Sequence, residues 1–174
     1  MPVSEKPAIV VLTGASGAGK TTLLLKLSEL LLPGVECINC DRVKLEPTGS
    51  DPSDHQAAIL QHWLFEVQRP DKKIRLAVLD TQIRPHRAIE VLAREGIINS
   101  AVVLVGCEPR KRNERLHSER RQPELSNHRM DCWAAYLRGQ ADALGLAIID
   151  TSEDSVDTSL EHLKELVQNV VKAG

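Results

Sequence analysis

The sequence predicts a single α/β domain, a three-layer α/β/α sandwich built on a five-stranded parallel sheet. Three observations lead there. Short apolar runs alternate with longer helical patterns along the whole chain, which calls for parallel strands joined by helical crossovers. The first run, 8–13, is apolar and suits a strand covered on both faces. A glycine-rich octet, Gly14-Ala15-Ser16-Gly17-Ala18-Gly19-Lys20-Thr21, stands between the first run and the first helical pattern. A length of 174 residues suits one domain with its own core. Aromatic residues make up only 2%, so that core must be aliphatic.

In chain order, residues 8–13 form the first apolar run. Residues 21–32 are leucine-rich and stop at Pro33-Gly34; Lys26 and Glu29 provide only a thin polar edge, so this helix is expected to be largely buried. A second strand spans 35–39, and 41–52, with two prolines and a glycine, reads as loop. Ser53 or Asp54 can cap a helix running to about Gln68. Residues 74–79 form a third strand that ends in Asp80, and Pro85 opens a helix that closes at Gly96. A fourth strand covers 98–105. Helical patterns at 109–121 and 126–144 are interrupted near Pro123. A fifth strand spans 146–149, and a last helix spans about 155–172.

The octet fits the pattern GxxxxGK[ST] in its required setting, between a buried strand and a helix. Glycines at 14, 17 and 19 permit a backbone that turns successive N–H groups inward as an anion nest, and the helix N-terminus adds its dipole. Residues 14–21 together with Thr22 are therefore the expected nucleotide-binding segment of a P-loop NTPase fold. Lys20 reaches the β- and γ-phosphates, and the Thr21 hydroxyl ligates magnesium. Asp80 follows an apolar strand in the Walker B arrangement and is the second expected metal contact, the plainer reading being a loop cap.

Other features carry less. Cys37 and Cys40 have CxxC spacing, with no second pair and no thioredoxin-type flanks, which favours packing over redox or metal chemistry. The six histidines show no HxxxH or HExxH pairing, and Trp63 and Trp133 are expected to pack. A net charge of -2 argues against general nucleic-acid or membrane-surface binding. Residues 1–8 lack an apolar signal core, so the chain is expected in the cytoplasm.

The order of elements, Asp41-Arg42 after the second strand, an arginine-rich stretch after the fourth, and Ile148-Ile149-Asp150-Thr151-Ser152 at the fifth resemble the nucleoside-monophosphate-kinase-like branch of P-loop proteins. Within it the likeness is to small-molecule kinases such as gluconate kinase, adenylylsulfate kinase and chloramphenicol phosphotransferase. The resemblance implies that Asp41 orients or deprotonates the acceptor hydroxyl and that Arg42 grips the acceptor. It also implies a lid at 109–129 whose arginines close over the transferring group. Arg120 and Arg121 are the foremost candidates, with Arg115 beside the nucleotide and Arg129 next. Guanidinium forks suit this task, since they match phosphate oxygens. Plainer readings stand beside these: a turn cap for Asp41, and a solvated helix face with an Arg115–Glu119 pair for the basic run. Arg84, on the loop leaving the third strand, is a further acceptor contact or else an ordinary helix start.

Three functions follow in order: a kinase that transfers the γ-phosphate of Mg-ATP to a hydroxyl of a small molecule, a nucleoside monophosphate kinase, and a nucleotide-driven switch or ATPase. The switch ranks last. A GTPase would carry DxxG where this chain has Asp80-Thr81-Gln82-Ile83, and it would carry a guanine-reading Asn-Lys-x-Asp. Neither the acceptor nor the oligomeric state is legible in the residues.

Overall fold

The computed structural model describes residues 6–47 and 49–173. The first five residues of the stretch read for a signal core lie outside that range, as does Thr48 in the loop after the second strand. Five strands, β1 (Ala8–Thr13), β2 (Val35–Asn39), β3 (Leu76–Asp80), β4 (Ser100–Gly106) and β5 (Ala147–Asp150), form one parallel sheet in the order β2-β3-β1-β4-β5. Six α-helices connect and cover them: α1 (Lys20–Glu29), α2 (Pro52–Val67), α3 (Pro85–Arg94), α4 (Pro109–Ser118), α5 (His128–Ala143) and α6 (Val156–Lys172).

The central strand β1 shows why its own run is apolar throughout. Its Ile9 and Val11 face a layer built from α2 and α3, where Leu60, Leu64, Val91 and Leu92 are buried. Its Val10 and Leu12 face a layer built from α1 and α6, where Leu23, Leu27, Leu163 and Val167 are buried. A smaller cluster of Leu104, Leu137 and Ala141 seats α5 on the first of these faces. The expected three-layer sandwich is the one observed.

Four expectations are corrected. α1 is not largely buried: Leu23, Leu24 and Leu27 face the sheet, while Leu25 is 53% exposed and Leu31, past the helix end, 85% exposed. One outer helix has only one sheet to cover, so the leucines on its far side have nothing to pack against. α2 is capped by Asp51, whose side chain accepts from the Ser53 N–H, because Pro52 takes the first helical position; neither Ser53 nor Asp54 is the cap. The stretch from 41 begins with a single 3-10 turn, Cys40–Arg42, rather than loop. α4 ends at Ser118, well before Arg121, and α5 starts after its Asn127 cap.

The register fixes where the functional residues meet. Leu12 and Asn39 both lie opposite Asp80, and Gly106 lies opposite Asp150. The octet after β1, Asp41 two residues past β2, Asp80 at the end of β3 and Thr151 after β5 therefore share the C-terminal edge of the sheet. β1 sits between β3 and β4; the connection leaving β1 runs outward to β2, whereas the one leaving β3 crosses over to β4, so the crevice opens there. Burial of Leu60, which is wholly enclosed between α2 and the sheet, anchors one face of this frame. Leu60→Ala is expected to cost about 2–5 kcal/mol of stability, read as a lowered denaturant midpoint with an unchanged slope.

Candidate active site

The loop leaves β1 at Gly14, where a Cβ would press into the Val105 carbonyl oxygen of β4. At Gly17, φ is 84° and a Cβ would lie 2.9 Å from Arg112 Cγ of α4. The glycines thus let the loop pass between two packed elements. Ala15, Ser16 and Ala18 are buried within it, and Thr22 is exposed. Gly19 is the N-cap of α1 and contributes no side-chain bond, so the helix opens with unsatisfied N–H groups and a positive dipole end directed at the loop.

Lys20 is buried, and its Nζ donates to the Gly14 carbonyl at 2.6 Å and to that of Ala15 at 3.3 Å. Burial holds its pKa below the ordinary lysine value, opposed by the Asp80 charge, with Arg120 lowering it further and Asp41 raising it. The Thr21 hydroxyl donates to Asp80 Oδ2 at 2.8 Å. Burial raises the Asp80 pKa against the opposing charge of Lys20 and that hydrogen bond. Asp80 is therefore not a loop cap but a partner of the residue after Lys20. Among the described residues no group of three or more His, Cys, Asp or Glu could hold a metal ion. An ion beside Thr21 and Asp80 would take its remaining oxygens from phosphate and water, as magnesium does.

Asp41 is exposed on the adjoining turn, and its charge reaches both Lys20 and Asp80. The cap of that turn is Asn39, whose Oδ1 accepts from the Asp41 N–H at 3.0 Å. The Asp41 carboxylate itself makes no hydrogen bond among the described residues. Arg42 beside it is exposed. Cys37 and Cys40 are free thiols held protonated by burial, Cys37 up to about 11.

The arginines of 109–129 divide by environment. Arg115 does not pair with Glu119; its Nη1 donates to Thr151 Oγ1 at 2.9 Å and its Nη2 to the Thr151 carbonyl at 2.6 Å. Thr151 Oγ1 in turn donates to the Ala18 carbonyl at 2.6 Å, which ties α4, the loop after β5 and the phosphate loop together. Arg120 is near enough to lower the Lys20 pKa, whereas Arg121 is exposed with φ 52° and makes no hydrogen bond among the described residues. Arg110 is tied to Glu114 on the surface. Sequence reasoning missed Arg112, which is fully buried and ion-paired with Asp131 of α5. Nothing local distinguishes it from its basic neighbours; only the packing of α4 on Gly17 does. Trp133 packs against the Leu104, Leu137 and Ala141 cluster as expected and, with Arg84, also lines a cavity of about 690 Å³. Trp63 packs as expected, with its Nε1 donating to the Cys40 carbonyl.

Solved structures share the fold that carries these residues. A gluconokinase from Sinorhizobium meliloti matches with a TM-score of 0.61 at 16% identity over 97% of this chain and 98% of its own. An APS kinase from Mycobacterium tuberculosis, solved with AMPPNP and APS, matches with a TM-score of 0.60 at 15% identity over 94% and 98%. A shikimate kinase from Acinetobacter baumannii, solved with shikimate, matches at 0.51 and 20% over 95% and 96%. The chain has the fold of the P-loop kinases.

In sequence, part of the chain also matches curated proteins. A tRNA dimethylallyltransferase from Synechococcus is 38% identical over 77 residues, 42% of this chain and 24% of that enzyme. One from Geobacter metallireducens is 28% identical over 110 residues, 61% of this chain and 33% of that enzyme. The chain thus matches about a quarter to a third of the length of these relatives. No protein-family model matches the chain.

The Arg112–Asp131 pair is the strut between α4 and α5. Asp131→Asn would leave a guanidinium enclosed without its counter-charge. The expected loss is about 2–3 kcal/mol, moderated because the Asp131 side chain is 34% exposed. Urea melts of the two proteins measure it.

Proposed function

We propose that this protein binds Mg-ATP at residues 14–22 and transfers the γ-phosphoryl group to a small molecule seated beside Asp41. The observation that carries the reading is the convergence of Lys20, the Thr21–Asp80 pair and an Asp41 carboxylate unpartnered among the described residues at the C-terminal edge of one sheet. The solved kinases with the same fold support it.

Each residue then has one task. Loop N–H groups and the start of α1 hold the phosphates. Lys20 exchanges the Gly14 and Ala15 carbonyls for phosphate oxygens, which offer a buried ammonium a better partner. Thr21 and Asp80 would hold magnesium, which would supply positive charge against the triphosphate oxygens. Asp41 accepts the proton of the attacking hydroxyl while that oxygen bonds to the γ-phosphorus and the bond to ADP breaks. Arg42 and Arg84 contact the acceptor. Arg120 and Arg121 neutralise charge on the transferring group, and Arg115 lies beside the nucleotide.

The lid reading of 109–129 takes a particular form here. Arg112 and Leu116 are buried against Gly17, so the first two turns of α4 are held on the phosphate loop. Closure then belongs to the exposed stretch from Glu119 to Glu124, which carries Arg120 and Arg121. Such a movement excludes the water that would otherwise intercept the phosphoryl group. Among the described residues no helix is long and apolar enough to cross a membrane, and the reading places the protein in the cytoplasm.

Two substitutions test it. Lys20→Ala should abolish stabilisation by nucleotide; wild type should gain about 2.7 kcal/mol at a hundred times the dissociation constant, read from melts with and without Mg-ATP. An equal gain in both proteins refutes the role. Asp41→Asn should retain that stabilisation while acceptor-dependent ADP formation falls about 10²–10⁴-fold. Turnover at the wild-type rate would remove Asp41 from the chemistry.

A further inference from the structure

The cavity of about 690 Å³ opens between the N-terminus of α2, the loop from β3 to α3 and the first turns of α5. Its wall contains two arginines, Arg84 and Arg129, and no carboxylate, in a chain of net charge -2. Arg84 is half-buried, and among the described residues its side chain makes no hydrogen bond or ion pair. Arg69, Arg87, Arg110 and Arg138, by contrast, each meet an Asp or Glu. Its guanidinium nitrogens keep contact with solvent and are free to take up an anion that the described residues do not supply.

What Arg84 does meet is a pair of rings. Trp133 and Tyr136 stack with centroids 5.6 Å apart and planes 20° apart, and Arg84 Cζ lies 5.9 and 5.8 Å from the two centroids. That contact orients the guanidinium without using its N–H donors. Tyr136 is braced on its far side, since Gln140 Nε2 donates to its hydroxyl at 2.6 Å and Gln140 also hydrogen-bonds His86 of α3. Two of the chain's four Trp, Tyr and Phe residues therefore line this one cavity, and Tyr136 remains 42% exposed. On the opposite wall, Gln56 Oε1 is buried with no hydrogen-bond partner among the described residues, an acceptor waiting for a donor.

We propose that this cavity, which takes in Gln82 two residues past Asp80, selects a flat-ringed anion as the phosphoryl acceptor, whose reacting group extends out of the cavity toward Asp41. The carboxylate or phosphate of the ligand lies across the free N–H groups of Arg84 and Arg129, its ring rests against Trp133 and Tyr136, and one of its O–H or N–H groups donates to Gln56. The proposal rests on the phosphoryl-transfer reading. Aromatic hydroxy acids and nucleoside monophosphates share this chemistry, and the choice of probes separates them.

The test uses Trp133 as its own reporter, in a Trp63→Phe background that leaves one tryptophan. Quenching is titrated with uridine monophosphate against uridine, salicylate against salicyl alcohol, and gluconate against glucose. At least one flat-ringed anion should bind about tenfold or more tighter than its neutral mate and than gluconate. Arg84→Gln and Arg129→Gln should each shrink that preference to within about threefold, while both variants keep wild-type stabilisation by Mg-ATP. The proposal is overturned if no anion quenches Trp133, if neutral mates or gluconate bind as tightly, or if both arginine variants keep the preference. ADP formation in the same samples separates the two readings. Turnover of a neutral mate as fast as its anion overturns the anion pocket and keeps the kinase. Arg84-dependent binding with no turnover of any hydroxylated probe or of uridine monophosphate overturns the kinase and keeps the anion pocket.

Discussion

The close approach of Gly14 to the Val105 carbonyl is the constraint on which the rest of the structure depends. β1 is buried on both faces and flanked by β3 and β4, so a chain leaving its C-terminal end must turn tightly against a neighbour. Only a residue without a Cβ can make that turn there. Once it is made, the loop passes over Arg112 and Leu116, α1 begins with its N–H groups facing inward, and Lys20 folds back over the loop. The anion seat is thus a result of packing around β1 as much as of glycine freedom within the loop.

That geometry brings opposite charges into poorly solvated space. Lys20 is pushed down and Asp80 up by the same burial, and each charge partly relieves the other. Thr21, next to Lys20 in the chain, donates its hydroxyl to Asp80. A pair in this condition gains from further charges of both signs, phosphate for the lysine and a divalent cation for the carboxylate. Asp41 stands just outside in solvent, close enough to feel both groups and free to meet a second molecule. The cleft consequently grades from buried and charged to open and polar along one edge of the sheet.

Legibility in the sequence followed the range of the forces involved. β1 stands at its expected bounds because a strand covered on both faces must be apolar throughout, and Asp80 was recognisable because it ends an apolar run; β2, an edge strand with Glu36 exposed, also stands at its expected bounds, cut off by Pro33-Gly34 before it. α2 moved its cap to Asp51 because Pro52 outcompeted the Ser53 and Asp54 signals, a purely local contest that the residues did contain. The exposed face of α1 was not legible: Leu25 and Leu31 match Leu24 and Leu27 in type, and which leucines face the sheet depends on the helix's orientation. The same holds for the arginines of α4. Arg110, Arg112 and Arg115 look alike in the chain, yet one is tied to a surface glutamate, one is enclosed against Asp131, and one reaches Thr151.

By itself the sequence determined the three-layer α/β class, the phosphate loop and its lysine and threonine, and the acid at the end of β3. All are set by patterns within a few residues, where backbone conformation and burial period leave few alternatives. The tertiary structure alone decided that Asn39 rather than Asp41 caps its turn, that Arg115 joins the loop after β5, and that Trp133, Tyr136, Arg84 and Gln56 share one cavity. Gln56 and Tyr136 lie on α2 and α5, about eighty residues apart in the chain. Contacts over such separations arise from how whole helices pack on the sheet, and no local pattern encodes that placement.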